Sequence, residues 1–389
     1  MKRPARVTVS FAFAAFMALA AAGCTPAAPV APTTAPTGAS PAAPAPTPSV
    51  TAQETLAAAP TPRFDLTCDD LLGASDLGKL FADKVSAVDP AIAELGATDN
   101  IPYSYYVRAR GGLDCAWSNG KTDDGSGTRT AMTATISILP DAAAGWKRYK
   151  NLYKTKSDTQ AYCSGDATIT SCYLDALSHG YWIAADFENI NAKLKKDTSP
   201  LVAPAKAPIT TALASLGTLG TLRPLWTPPS GTATAPASCD GYVSTAEITK
   251  ALGTSAKIVL GAGDNGGWSL GAEAESTASH LGCIFGISDS DNGYGYLTWL
   301  PGGAWAATET AKYAPGTPIT VAGLKTGDSA TTWTDPVSHD INVDLVVGGN
   351  WAHFTLWDYG SASDIPKAKQ PRAVAARTIA ADIVARLEG

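Results

Sequence analysis

Cysteine is the most reactive side chain in this sequence, and two of its cysteines stand in matching surroundings. "GLDCAWSNG" (Gly112–Gly120) and "HLGCIFGISDSDNG" (His280–Gly293) each place a cysteine two residues before an aromatic and ahead of an Asn-Gly pair. Such a cysteine can be a nucleophile, a metal ligand or half of a disulfide. Nucleophilic use needs a free thiolate and a basic partner, and neither is implied around Cys115. Zinc sites favour Cys-x-x-Cys pairs, and none occurs here. A structural disulfide is the remaining chemistry, and no metal or other cofactor is expected.

Three further stretches carry chemistry-bearing residues. "DALSH" (Asp175–His179) and "DPVSH" (Asp335–His339) hold the residue types of a Ser-His-Asp hydrolase, yet they lie 160 positions apart while the segments around them correspond at 169. There is also no Gly-x-Ser-x-Gly elbow, so no catalytic residue is assigned. "SDSDNGYGY" (Ser288–Tyr296) opens like a calcium loop, but its glycine comes one position early and the closing glutamate is missing; an Asn-Gly hairpin turn explains it. "GAGDNGGWSLG" (Gly261–Gly271) is glycine-rich without the lysine of a phosphate loop. Its Trp268, together with Trp333, sits in a Gly/Asp/Thr-rich segment outside any core-like alternation. Tryptophan in loops at a sheet end is a usual anchor of ligand sites, so both are predicted to border a partly apolar pocket within residues 237–389.

The N-terminus sets where such chemistry would happen. Lys2, Arg3 and Arg6 precede the uncharged run Val7–Gly23, which has the form of a secretory signal and is too short and alanine-rich for a permanent membrane span. It ends "LAAAGC", placing Cys24 where lipidation, with palmitate among the acyl groups, would make it residue one. Residues 25–62 are almost wholly Pro, Ala, Thr and Ser. They cannot bury enough apolar surface to offset their ordering entropy and read as a stand-off stalk. Basic and acidic residues number 29 and 35; without the three leader bases the balance is 26 against 35, a net −9. An acidic chain whose one basic cluster is "KLKK" (Lys193–Lys196) excludes nucleic acid as a partner.

Beyond the stalk the chain repeats itself. "LTCDDLLGASDLGKLF" (Leu66–Phe81) matches "ASCDGYVSTAEITKALG" (Ala237–Gly253), and Cys115 matches Cys283. "SILPDAAAGWKRYKNLY" (Ser137–Tyr153) matches "TWLPGGAWAATETAKYA" (Thr298–Ala314), each a strand, a proline and then a helix with an early tryptophan. Trp182 and Trp351 close the correspondence. Each copy thus has one cysteine before its first helix and one in its early sheet. That predicts Cys68–Cys115 and Cys239–Cys283, with Cys163 and Cys172 stapling a local hairpin found only in the first copy.

Period-two alternation in Arg129–Leu139, "GYWIAADF" and "INVDLVV" marks strands. "RAVAARTIAADIVARL" (Arg372–Leu387) reads as a helix with Val374, Ile379, Ile383 and Leu387 on one face. Consecutive strands with helices at the ends predict an α+β fold: two tandem repeats, each an antiparallel sheet covered on one face by helices and stapled by disulfides. The expected organisation is a signal peptide at 1–23, lipidated Cys24 with the stalk to 62, a first repeat at 63–216, a linker at 217–236 and a second repeat at 237–389.

The lipobox-like end of the leader, the proline-rich stalk, "C-x-x-L-L" at Cys68–Leu72 and "C-x-W" at Cys115–Trp117 together resemble an actinobacterial surface lipoprotein family of unknown function. The Gly-Asp turns near Gly165 and Gly327 fit the same pattern. The family's domain usually occurs once; here it is duplicated, and the second copy has Tyr242-Val243 for the leucines and Phe285 for the tryptophan. The resemblance implies a place on the outer face of the cell membrane and no catalytic residues. The expected function is therefore a membrane-anchored, non-enzymatic module binding an envelope lipid, a glycan or another envelope protein. Two alternatives stand beside it: a hydrolase or transferase acting on envelope glycans or esters, and a structural or assembly protein without a ligand pocket.

Overall fold

The computed structural model describes residues 58–388 apart from 72–76, 78–80, 82, 92–99, 122–130, 166–169, 191–205, 207–208, 211, 263–266, 280–281, 289–292, 336–337 and 359–365. The signal-like run, Cys24, nearly all of the stalk, the Lys193–Lys196 cluster and the middle of the calcium-like loop lie outside these residues. Residues Glu54–Gly389 belong to one compact unit, and no described helix is long and apolar enough to cross a membrane.

In the first repeat the order is α1 (Cys68–Leu71), β1 (Ser86–Val88), α2 (Tyr103–Ala109), β2 (Leu113–Ser118), β3 (Thr133–Leu139), α3 (Ala143–Tyr153), β4 (Thr159–Gly165), β5 (Thr170–Ser178) and β6 (Tyr181–Glu188). The second repeat follows with α4 (Thr245–Leu252), β7 (Ile258–Ala262), α5 (Leu270–Ala278), β8 (Cys283–Ile287), β9 (Gly293–Leu300), α6 (Ala304–Thr310), β10 (Thr317–Pro318), β11 (Ser329–Thr334), β12 (Ile341–Val347), β13 (Asn350–Leu356) and α7 (Arg372–Glu388). The sheets are ordered β1-β2-β3-β6-β5-β4 and β7-β8-β9-β13-β12-β11-β10, with antiparallel pairing throughout. The second is the first with one two-residue strand added. The fold is α+β, two tandem copies of one unit.

The three expected disulfides are present, Cys68–Cys115, Cys163–Cys172 and Cys239–Cys283. The two long ones fasten the segment before the sheet to the matching strands β2 and β8, with Cα atoms 5.6 Å apart in each. Cys163 and Cys172 face each other across β4 and β5.

Each sheet has a core on one face. Phe64, Leu77, Phe81 and the helical residues Ile209, Ala212 and Leu216 pack on β2, β3, β5 and β6. α4 and α7 pack on the second sheet. α4 begins at a capping box in which Ser244 and Glu247 bond each other's backbone, and Arg386 of α7 reaches the Glu247 carboxylate. α7 buries Ala375, Ala376, Ile379, Ala380, Ile383 and Val384. Val374, placed on that face from the sequence, is instead 47% exposed. The alanines carry the contact because they let the helix approach the strands closely.

The other face of each sheet, expected to be uncovered, is covered too. Tyr105, Tyr106, Trp146 and Trp182 from the first repeat meet Leu270, Leu300, Trp305 and Trp351 from the second in a third core. α2 and α5 cross here, close enough that a side chain at Gly271 would meet the Tyr103 ring at 2.6 Å. Two ion pairs flank the crossing, Arg108 of α2 with Glu309 of α6 and Arg148 of α3 with Glu273 of α5. Residues 217–236 lie along this body rather than hanging free. Arg223 bonds Arg63 and Asp65, Trp226 packs over Gly302, and Ala233 bonds Gly348.

Candidate functional site

A cleft of about 200 Å³ opens in the second repeat between α6 with the turn after it and the strands β11 and β12. Local sequence explains how it is framed. Gly348 and Gly349, both at positive φ, form the tight turn joining β12 to β13. Asn350, next in the chain and fully buried, accepts from the Gly302 backbone N–H at 2.9 Å and donates to the Ala233 carbonyl at 3.0 Å. The Ala304 N–H donates to the Gly349 carbonyl. The start of α6 is thereby pinned to the hairpin, and the helix runs out over the sheet with Ala307, Thr310, Ala311 and Ala314 towards the cleft. The sheet side presents Ser329, Thr331, Asp344 and Val346. Thr331 stands directly opposite Asp344 in the strand register, and Ser329 opposite Val346.

Asp344 is the charged group of the cleft. Its Oδ1 accepts from Trp351 Nε1 and from His353 Nδ1, both at 2.8 Å. No donor among the described residues reaches Oδ2, and the side chain is 17% exposed. Behind it His353 Nε2 lies 3.3 Å from Thr355 Oγ1. Asp, His and Thr in that order have the connectivity of a nucleophilic triad, but the arrangement does not perform that chemistry. Thr355 donates its one proton to Asn342 Oδ1 at 2.6 Å and is fully buried, so it has no proton left for His353 to take and no carbonyl can approach it. The array orients the Asp344 carboxylate.

The first repeat holds the same parts with the space filled. Asp175 stands where Asp344 stands, and its Oδ1 accepts from Trp182 Nε1 at 2.9 Å, as Asp344 does from Trp351. Its Oδ2 is occupied by the Tyr149 hydroxyl at 3.0 Å. Tyr149 stacks on Trp146 with ring centres 4.9 Å apart, Tyr153 leans on Tyr149, and Trp146 Nε1 donates to Asp158. Burial raises the pKa of Asp175 against the pull of its two donors, and raises that of Tyr149. Counting from Pro140 and Pro301, the turn prolines before α3 and α6, the positions of Trp146, Tyr149 and Tyr153 become Ala307, Thr310 and Ala314. Where three aromatic rings stand in one copy, the other has two alanines and a threonine, and the cleft is the volume left over.

No protein-family model and no curated protein matches the chain. Among solved structures it is similar to DynU16, a protein in the dynemicin biosynthetic locus, at 10% identity over 78% of this chain and 94% of that one, with a TM-score of 0.11. A score of that size carries no argument about fold or function.

The two tryptophans singled out from the sequence are not brought together at the cleft. Trp268 lies in the segment before α5 and turns to the first repeat, edge-on to Tyr103 with ring centres 6.3 Å apart, while its carbonyl accepts from the Tyr153 hydroxyl. Its indole N–H is buried with no partner among the described residues. Trp333 is on strand β11 rather than in a loop, opposite Asn342 and two residues beyond Thr331. Neither lines the cleft. Ser178 and His179 bond each other at the β5–β6 turn, while Asp175 is taken by Tyr149 and Trp182, so that trio forms no relay. Ser338 and Asp335 close a turn through the Ser338 N–H. The six disulfide cysteines are structural.

The residues that do make the cleft leave one trace in the sequence. Their signal was a loss against a retained partner: aromatics replaced by Ala307, Thr310 and Ala314 in a repeat that keeps the Asp-Trp pair.

Proposed function

We propose that the chain is an extracytoplasmic lipoprotein, held at the outer face of the cell membrane through Cys24, whose second repeat binds a small envelope ligand in the cleft beside Asp344 without transforming it. The observation that carries the binding reading is the contrast at one position of the repeat: Asp175 Oδ2 is satisfied by its own Tyr149, whereas Asp344 lines an open volume and its bonds from Trp351 and His353 are both to Oδ1. An ionised carboxylate only accepts hydrogen bonds, so a ligand that donates to Oδ2 completes the pattern the first repeat already has. The anchor is supported by "LAAAGC" and the stalk, and membership of the surface lipoprotein family rests on the same motifs.

Two measurements test this. Ligand-observed NMR with a fragment set on the full mature chain should give hits that Ala307→Trp, which refills the cleft, abolishes; hits indifferent to that change would overturn the binding reading. Detergent-phase partitioning should place the wild-type protein with the membrane fraction and Cys24→Ser in the aqueous phase. An aqueous wild type without added acyl mass would remove the anchor.

A further inference from the structure

We infer that the cleft beside Asp344 recognises a phenol, a single aromatic ring whose hydroxyl donates to Asp344 Oδ2. This rests on the proposed binding role of the cleft and names the chemistry of its ligand.

Size comes first. A cavity of about 150 Å³ lined by apolar side chains holds benzene; the cleft has about 200 Å³, room for one ring with a substituent. Polarity comes second. Ala307, Ala311, Ala314 and Val346 supply apolar wall; Ser329, Thr331 and Asp344 are the polar groups of the two strands, and the helix adds Thr308 and Thr310, whose hydroxyls already donate to the Ala304 carbonyl and the Tyr105 hydroxyl. A pyranose carries hydroxyls around its whole rim and would press some against the alanines, where they find no partner. A planar ring with one hydroxyl at its edge leaves none stranded. Third, the molecule contains the complex already. In the first repeat a phenol, the Tyr149 side chain carried by the counterpart helix α3, donates at 3.0 Å to the counterpart carboxylate Asp175, which Trp182 on the neighbouring strand holds as Trp351 holds Asp344. The site in the second repeat keeps the acceptor and its support and lacks the ring.

The source of the phenol is either a free small molecule or a tyrosine borne on a peptide, and the probes separate them. The experiment is a titration of the full mature chain by protein-observed NMR with p-cresol, 4-methylanisole, methyl glucoside and N-acetyl-tyrosine amide. p-Cresol should bind with shifts confined to residues around Asp344, and 4-methylanisole, which has the ring but no donor, about tenfold more weakly, the worth of a hydrogen bond to a charged acceptor. Asp344→Asn leaves the volume unchanged. Trp351 and His353 hold the amide oxygen in the place of Oδ1, so the NH₂ group turns towards the cleft and makes it a donor. That change should weaken p-cresol by about the same factor and leave 4-methylanisole unaffected. Equal or tighter binding of N-acetyl-tyrosine amide assigns a peptide tyrosine as the source; binding of p-cresol alone assigns a free phenol. The phenol inference is overturned, and the binding reading kept, if methyl glucoside or 4-methylanisole binds in the cleft at least as well as p-cresol. Both fall if no probe and no fragment shifts residues around Asp344. Should Ala307→Trp fail to fold, the Asp344→Asn comparison decides alone.

Discussion

The two repeats are built from one strand order, one disulfide placement and one Asp–Trp pair across the last hairpin, yet they treat the space beside α3 and α6 in opposite ways. The first stacks Trp146, Tyr149 and Tyr153 there and satisfies Asp175 from within. The second leaves Ala307, Thr310 and Ala314 and keeps Asp344 partly exposed. Framework and site are thus separable. The hairpin and the disulfide hold the strands whether or not the neighbouring helix carries rings, so one copy is free to be structural while the other is open. The ion pairs at the crossing show a second asymmetry. Equivalent positions on α3 and α6 hold Arg148 and Glu309, and their partners, Glu273 and Arg108, come from opposite repeats. Two first repeats facing each other would set arginine towards arginine, and two second repeats glutamate towards glutamate. The charges select pairing of unlike copies within one chain.

The most severe way to break the comparison is to empty the filled copy. Trp146→Ala should cost about 3–5 kcal/mol, the usual loss for truncating a buried tryptophan, and should give the first repeat a cleft of its own. Thermal melts with and without indole check this; recovery of part of the lost melting temperature by indole shows that at this place the two copies differ in occupancy.

Next in size are the long disulfides. Loop-closure entropy assigns about 4 kcal/mol to each of Cys68–Cys115 and Cys239–Cys283, which close separations of 47 and 44 residues. Replacing either pair by serine should therefore lower denaturant midpoints by similar amounts. Loss of Cys163–Cys172, with a separation of 9, should cost less than about 3 kcal/mol. Unequal effects of the two long pairs would show that the repeats do not share their stability as they share their topology.

A smaller effect is expected at the crossing. Arg148→Ala leaves the carboxylate of Glu273, 4% exposed, without its partner, a loss of about 1–3 kcal/mol. Arg148→Glu combined with Glu273→Arg should restore most of it in a double-mutant cycle.

A last effect is a slope with pH set by two buried acids of the first repeat. Burial pushes Asp114 up to about 7 despite the Ser137 hydroxyl that bonds it, and burial with the nearby Glu188 and Asp175 charges pushes Asp186 up to about 8. Asp186 Oδ1 is buried without a partner among the described residues. Both groups hold a proton in the folded state that the unfolded chain releases near 3.8. The folded state therefore binds more protons between those values, and stability falls as pH rises from about 4 to about 8 and then levels. Asp186→Asn, which keeps a neutral group in place, should flatten the upper part of that slope in melting curves. An unchanged slope would place the titration elsewhere.

Much of the framework was legible in the chain because it is written in local terms. Matching cysteines at nearly equal offsets, 171 and 168, determined the long disulfide pairs, since two copies of one unit must close the same loop. Alternation determined β3, β6 and β12. The Val374 assignment failed because a helical period tells which residues share a stripe and not how closely the strands beneath approach; the alanines of α7 decided that. Trp333 misled for a related reason. Thr and Asp neighbours suggested a loop, but pairing with Asn342 on β12 outweighs local propensity.

The sequence by itself determined that this protein is two disulfide-stapled copies of one α+β unit, because covalent order, spacing and periodicity are properties of short stretches. Only the tertiary structure decided that the copies share a core through α2 and α5, and that one of them holds a cleft. A cleft is a difference of volumes between segments brought together from residues 307–316, 329–331 and 344–346. No single stretch carries it, and it exists only once the strands fix how far Asp344 stands from the helix that passes above it.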